Sequence, residues 1–445
     1  MPSVSRSTNT VLMLCDPSDG YFTSFGIRIV SLALGPVNPR EASVDFDVPE
    51  DAREIVGLAR EFARAELAAA ELRIDRYTDP VEAYASDSYR SFRKAARALG
   101  LHQILLPAEI GGLELSPLVY FLVLEELAVG GAGLALVMQA DSLGVALAHR
   151  SRDAHPVYRD YVEAFRDDTE GAHSGAWAIT EPDVGSDIYR PEASFTVRAR
   201  PTPGGAGFVI DGAKSSWCSN GWLADMLCVM INVDPAAGMD GTGVFLIPAD
   251  WPGVGKGRPI SKVGLRALNQ CEIAFDGVEV PKEFMIIPPG GHYRSVLQRG
   301  FVAPGNTAVG FAALGVARAA YDIGLDYARG REQGGRPIGE HQLVARKLFD
   351  AQAVVESAGL MLRRSAWNLA RGRVDMASVY TARVLACRAA AQVSGDMMYL
   401  HGGNGITREY PIEKLWRDAQ PLQIADGTTD VVAMQAAGYL LKGGS

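Results

Sequence analysis

The stretch QIADGTTD, residues 423–430, sets a short carboxylate, Asp426, directly before Gly427-Thr428-Thr429 in a helical region near the C-terminus. Two kinds of chemistry fit it. A carboxylate before a Gly-Thr turn can cap the next helix by accepting its first N–H groups. The same group, beside a bound carbon acid, can act as a general base. Other stretches suit a ligand rich in acceptors and rings. WAITEPDVGSD (177–187) packs Thr180, Glu181, Gly185 and Ser186 into a turn that offers N–H groups and hydroxyls, or that simply joins two domains. KSSWCSNG (214–221) flanks Trp217 with hydroxyls, which suits a flat heterocycle or a core tryptophan with capping groups. GREQGGRPIGEHQ (330–342) places Arg331 and Arg336 around a Gly-rich joint, fit for phosphate or for a solvated turn. In LHGGNGITREYPIEKLWRDA (400–419), Gly402-Gly403 ends a helix and exposes backbone N–H groups to any phosphate nearby.

The elements that must position these residues follow from periodicity. From Pro49 onward the apolar residues Ile55, Leu58, Phe62, Ala65 and Ala69 fall at helical spacing, after a proline and two acids. SDSYRSFRKAARALG reads as a second helix closed by Gly100, and residues 117–150 as two apolar helices broken at Gly130-Gly131. Residues 46–170 therefore form a helical domain. Near residue 175 the period changes. GFVIDGAKSSW and CEIAFDGVEVP read as strand runs with turns at Asp211-Gly212 and Asp276-Gly277. With DMLCVMINV and GVFLIPA, they predict an antiparallel β domain over 171–285. The helical period then returns in three long Ala-rich helices and a shorter last one, an antiparallel four-helix bundle over 286–445. Apolar residues wrap much of each helix, which points to oligomerisation.

Composition bounds the function. The 445 residues suffice for two or three domains and a large core. Net charge is −9, from 43 basic and 52 acidic residues, which argues against nucleic acid or an anionic membrane as the main partner. Cys15, Cys218, Cys228, Cys271 and Cys387 are scattered and odd in number, as for reduced thiols in a cytoplasmic or matrix-like compartment. The 7 histidines show no metal-binding spacing, so no metal site is expected. No run of 18 apolar residues predicts a membrane span. Residues 1–45 lack the basic start and small-residue cleavage site of a secretory signal, and read as a floppy N-terminal arm or a mis-assigned start, with a cleaved organelle-targeting peptide as the alternative.

Taken together and in this order, TEPDVGSD, WCSNG, DGVEVPKE (276–283), RPIGEHQ, HGGNGITREYPIEKLWRDA and DGTT resemble the acyl-CoA dehydrogenase family of flavoproteins, over roughly residues 46–440. The resemblance implies an α+β fold: an N-terminal helical domain, a middle β domain and a C-terminal four-helix bundle, usually assembled as a homotetramer (a dimer of dimers). It implies FAD as cofactor, an acyl-CoA or other acyl thioester as substrate, and an electron-transfer flavoprotein as acceptor. By position, Trp177, Ile179 and Thr180, with Trp217, Cys218 and Ser219, would touch the flavin. Arg331, Gln333, His341 and Gln342 sit where a neighbouring chain usually meets the adenine and diphosphate. Gly402 and Gly403 would approach the same diphosphate, and Thr428 another part of the cofactor. Ser186 would touch the pantetheine arm, and Asp426 would be the α-proton base, with the backbone N–H groups beside it, at Gly427, stabilising the enolate-like oxygen. Asp141, on a helix that lines the acyl pocket in the family, would be a second carboxylate toward the substrate, or else a hydrogen-bonded structural acid.

The departures from the family pattern cluster around this pocket. Asp426 stands where many members carry Glu, one methylene longer, and a 1 Å misplacement can cost about 10²-fold in rate. Ala303 and Asn306 replace an acid and an arginine near the thioester. Gly334 replaces a Phe, Tyr399 a Gln, and Ala425 a Tyr. The expected substrate is therefore a branched, cyclic or otherwise non-standard acyl group. Other readings are a flavin monooxygenase on the same fold, a dehydrogenase of carrier-protein thioesters, and a catalytically silent subunit of a heteromer.

Overall fold

The computed structural model describes residues 50–290 and 298–441; the N-terminal arm expected over 1–45, with Cys15, lies outside them. The N-terminal helices are α1 (Glu50–Phe62), α2 (Ala68–Asp75), α3 (Pro80–Ala85), α4 (Asp87–Ala98), α5 (Pro117–Arg150) and α6 (Pro156–Asp167). Ser86, Ser116 and Asp79 cap three of them with side-chain oxygens, as their residue types predict. The expected break in α5 is local. The helix runs on, but Gly131 leaves helical geometry, and the reason is Glu71. Its carboxylate accepts from the backbone N–H groups of Gly133 (3.2 Å) and Leu134 (3.0 Å), so a buried side chain from α2 caps the second half of α5. A methyl group at Gly131 or Gly133 would stand 2.7 Å from that carboxylate, which is why small residues occupy the break.

The middle domain is one eight-stranded sheet in the order β6-β7-β3-β1-β4-β5-β8, with β2 against β3 and β4. Its strands are β1 (Gly175–Ala178), β2 (Arg198–Pro201), β3 (Gly207–Ser219), β4 (Met226–Asn232), β5 (Thr242–Pro248), β6 (Val254–Lys256), β7 (Gln270–Pro281) and β8 (Met285–Ile287). Most ladders are antiparallel, but β1 runs parallel to β4, so the sheet is mixed. The turns expected at Asp211-Gly212 and Asp276-Gly277 are not hairpins. Both pairs lie inside long strands that pair with each other, where the β3–β7 register shifts. Gly212 and Gly277 take positive φ there, and Asp211 accepts from the Gly277 N–H at 2.9 Å. The Asp-Gly signal marks a bulge here, because the alternating apolar residues on either side keep one face buried throughout.

The C-terminal bundle comprises α7 (Ala303–Gly330), α8 (Gln342–Ala370), α9 (Met376–Leu400) and α11 (Thr429–Leu441), with a further helix α10 (Ile412–Leu422) before the last. Helix α5 packs on α7, where Phe121 stacks on Phe311 at 5.5 Å, and one apolar core runs through both helical blocks. Helix α5 is apolar enough to cross a membrane, yet it is buried inside the protein, and that burial accounts for its composition. Lys414 on α10 bonds both Glu71 (3.1 Å) and Asp418 (2.5 Å), and all three are buried. Asp418 also accepts from the Leu265 N–H at 2.7 Å, so this ion cluster joins the first domain, the bundle and the loop before β7. Substituting Glu71→Leu leaves two N–H groups in α5 unpaired and Lys414 with one carboxylate. The expected outcome is a loss of about 3 kcal/mol, read from the urea unfolding midpoint.

Candidate active site

Residues 423–428 link α10 to α11. The cap reading of Asp426 fails on geometry. Thr428 caps α11, its hydroxyl accepting from the Val431 N–H at 3.4 Å. Asp426 adopts positive φ (+52°), a conformation that aspartate tolerates better than most residues. Among the described residues, no hydrogen bond or ion pair reaches its carboxylate. The side chain points to the first turn of α7, where a Cβ added at Gly305 would stand 3.2 Å from Asp426 Oδ2. Asp426 is open to solvent on one side and crowded by protein on the others. That crowding raises the carboxyl pKa above its ordinary value, and the Arg383 guanidinium opposes the rise.

The turn is held through its carbonyls. Arg383 on α9 donates to the carbonyls of Ala425 and Gly427, and the Tyr189 hydroxyl donates to that of Asp426 at 2.8 Å. Gly427 (φ +94°) must be glycine twice over: for its conformation, and because a Cβ would lie 2.6 Å from the Tyr189 ring. Ser186 accepts from the Thr428 N–H at 3.3 Å, so the TEPDVGSD turn and the DGTT turn meet directly. Among the described residues, the N–H groups of Asp426 and Gly427 have no hydrogen-bond partner. On the facing helix, Asn306 is buried. Its amide donates to Val302 O at 2.9 Å, and its Oδ1 has no partner among the described residues. Ala303 is buried in the small apolar cluster between α7, α9 and α11.

The flavin-type segments are joined strand to strand. Trp177 on β1 pairs with Ser219 at the end of β3, and the Ser215 N–H donates to Thr180 O at 2.8 Å. Beneath them lies an ion pair that sequence reasoning missed. Lys214 donates to Glu181 Oε1 (2.7 Å) and to Ile179 O (2.9 Å), and both charged side chains are wholly buried. Burial pulls the Lys214 pKa down to about 8, with Glu181 opposing. Glu181 also accepts from Val197 N and the Thr196 hydroxyl. Trp177 lies against Phe301, ring centres 4.7 Å apart, whereas Trp217 is 57% exposed. Cys218 is buried within the sheet opposite Cys271, so of the WCSNG stretch its side chain faces the core and not the surface.

The third group gathers at the Gly-rich joint. Strands β9 (Glu332–Gln333) and β10 (Arg336–Pro337) form a two-stranded hairpin between α7 and α8. His341 lies with Nε2 2.9 Å from Gln333 O and Nδ1 3.3 Å from the Arg336 guanidinium, which ties the ring across the hairpin. Arg331, Gln333 and Gln342 are exposed beside it. Gly402 (φ +59°) closes α9, and both Gly402 and Gly403 border open space. Exposed glycine backbone, an arginine and amide-rich hairpin, an exposed tryptophan and the Thr180 and Ser219 hydroxyls together suit a dinucleotide with a flat ring system. The residues present therefore fit FAD.

Asp141 does not join this site. It is buried on α5, accepting from Ser174 Oγ (2.5 Å) and Asn220 Nδ2 (3.0 Å), with Arg93 and Arg97 at 3.8 and 3.9 Å. Its lone pairs are taken up in tying α4, α5 and the β domain together, so it is a structural acid and offers nothing to a substrate. Among the described residues, no cluster of His, Cys, Asp or Glu is placed to hold a metal ion.

Three family models match the chain: acyl-CoA dehydrogenase N-terminal domain (49–154), middle domain (176–278) and C-terminal domain (296–441). The 2-methylacyl-CoA dehydrogenase of Solanum tuberosum is 33% identical over 77% of this chain and 80% of that protein. Among solved structures, a chain described with the electron transferring flavoprotein of Acidaminococcus fermentans superposes with a TM-score of 0.78 at 27% identity, covering 90% of this chain and all of that one (100%). The FAD complex of PigA gives 0.77 at 26%, covering 89% and 99%.

The buried pair under the flavin segments carries its own test. Lys214→Met leaves Glu181 buried without its cation. The expected outcome is a loss of about 3–5 kcal/mol in thermal or urea unfolding, with weakened flavin retention. Adding Glu181→Gln in the same chain recovers part of it.

Proposed function

The chain belongs to the acyl-CoA dehydrogenase family, a flavin oxidoreductase with FAD as its cofactor, and from that premise we propose that it dehydrogenates an acyl thioester between its α- and β-carbons with Asp426 as the α-proton base. The observation that carries this reading is the carboxylate itself. Asp426 is relieved of capping by Thr428 and meets no cation or donor among the described residues, beside the free N–H groups of its own turn.

The protein's own groups divide the work. Trp177, Ile179, Thr180, Trp217 and Ser219 would hold the flavin end of FAD, and Arg331, Gln333, His341, Gln342, Gly402 and Gly403 its adenine and diphosphate end. Bound FAD supplies the acceptor for the β-hydride. Asp426 takes the α-proton, and its raised pKa makes it a stronger base than an ordinary carboxylate. The N–H groups of Asp426 and Gly427 are placed to receive the thioester oxygen as negative charge builds on it. Ser186, bonded to Thr428, would meet the pantetheine arm of the thioester.

The shorter base sets the substrate class. Gly305 leaves the first turn of α7 open beside the carboxylate, while Ala303 and Asn306 bring no charge there. We infer a branched or ring-bearing acyl group, whose bulk fills that space and brings the α-carbon within reach of Asp426. Exposed Leu343, Phe349 and Leu360 along α8 support an assembled protein, in our reading the homotetramer. An electron-transfer flavoprotein is the proposed acceptor, in a cytoplasmic setting.

Anaerobic mixing with straight, branched and cyclic acyl-CoAs tests this. The expected outcome is fast bleaching of the flavin absorbance by branched or cyclic members, slowed about 10²-fold or more in Asp426→Asn with flavin still bound. Because the carboxyl pKa is raised, the base is protonated and idle at low pH. The bleaching rate should therefore rise with pH, with a midpoint above the ordinary carboxylate range. No bleaching by any thioester, with flavin bound, overturns the reading.

A further inference from the structure

Among the described residues, Arg383 is the largest side chain wholly withdrawn from solvent, on an α9 face otherwise made of small and apolar residues. Such a charge needs a reason. Among the described residues it makes no ion pair, and its Nε and Nη1 have no hydrogen-bond partner. Its one engaged nitrogen, Nη2, donates to Ala425 O and Gly427 O, the carbonyls on either side of Asp426. The packing that places it there is close. A Cβ added at Gly310 on α7 would stand 2.5 Å from Leu362 Cδ2 on α8 and in ordinary contact, 3.4 Å, with Arg383 Cα, so Gly310 lets Leu362 pack beside the Arg383 backbone.

We propose that Arg383 is a positioning residue for the base: it fixes the left-handed turn by its carbonyls and stabilises the Asp426 carboxylate through space, without bonding to it. The distinction matters chemically. A guanidinium bonded directly to the carboxylate would occupy its lone pairs and abolish it as a base. Bonded to the flanking carbonyls, the cation turns them toward α9 and leaves the carboxylate and its neighbouring N–H groups facing the other way. Its charge acts against the desolvation of Asp426 and so favours the ionised carboxylate. The other titratable groups near this carboxylate are Tyr189 and the Cys387 thiol, both pushed up and neutral, to about 12 and about 11. The facing stretch of α7, Ala303–Ala317, has no titratable residue, and Asp430 on α11 pairs with Arg388 at 3.5 Å. Arg383 is thus the cation that sets the field at Asp426.

This rests on Asp426 being the base, and the test separates the two claims. In flavin-loaded protein, the infrared carboxyl band lost in Asp426→Asn reports the Asp426 titration without any substrate. Arg383→Gln removes the charge and keeps a donor; Arg383→Lys keeps the charge and loses the fork. The expected result is an upward shift of that titration by about one pH unit or more in Arg383→Gln, and little shift in Arg383→Lys. Both variants should also lower the high-pH plateau of flavin bleaching by 2-methylbutyryl-CoA, about 10-fold or more, as the turn loosens. An unshifted titration in Arg383→Gln overturns the proposal. If that variant does not fold, Arg383→Lys decides: a wild-type plateau overturns it. Asp426→Asn that bleaches at the wild-type rate sinks the base assignment, while the infrared shift still reports on Arg383.

Discussion

The site depends on a backbone constraint: three successive carbonyls, at residues 425, 426 and 427, each receive a side-chain hydrogen bond. Carbonyls held on one side put the intervening N–H groups and the Asp426 side chain on the other. That single orientation leaves the Asp426 carboxylate without an ion pair among the described residues, beside a pair of free N–H donors. Arg383 comes from α9 and Tyr189 from the loop between β1 and β2, so the turn is assembled only when the two domains meet. Gly427 and Gly305 remove the side chains that would fill the space it needs.

The other long-range constraints are buried ion pairs. Lys214 and Glu181 clamp the two flavin segments, the Glu71–Lys414–Asp418 cluster joins the helical blocks, and Asp141 with Arg93 and Arg97 fastens the β domain to α4 and α5. Each charge faces one of opposite sign, so breaking one partner costs more than the pair contributes in net stability. Such pairs favour one relative placement of elements, which an active site shared between domains requires.

What the sequence disclosed divides along physical lines. Domain order and most elements were legible, because apolar periodicity records which face is buried. The family resemblance located the turns that carry Asp426, Ser186 and Trp217. Asp-Gly pairs misled, since a hairpin turn and a paired bulge ask for the same backbone freedom; only the strand pairing tells them apart. The helix break at Gly131 was visible, but its cause, Glu71, lies 60 residues away. Asp426 as cap or base could not be decided from spacing, because Thr428 competes for the same N–H groups. Asp141 was misplaced because a helix near a pocket has faces that turn away from it. The signal for Arg383 was present, one of two arginines in an Ala-rich helix, but a charge there reads equally as a solvated face until burial is known.

The most direct test of the account is α-hydrogen exchange. An acyl-CoA analogue with sulfur in place of the β-carbon cannot release a β-hydride, so only the base can act on it. Its α-hydrogens would be followed by mass spectrometry in deuterated water with flavin-loaded protein. The account predicts exchange by the wild type, slowed roughly 100-fold or more by Asp426→Asn. Equal exchange by both proteins would place the base elsewhere and contradict the central claim.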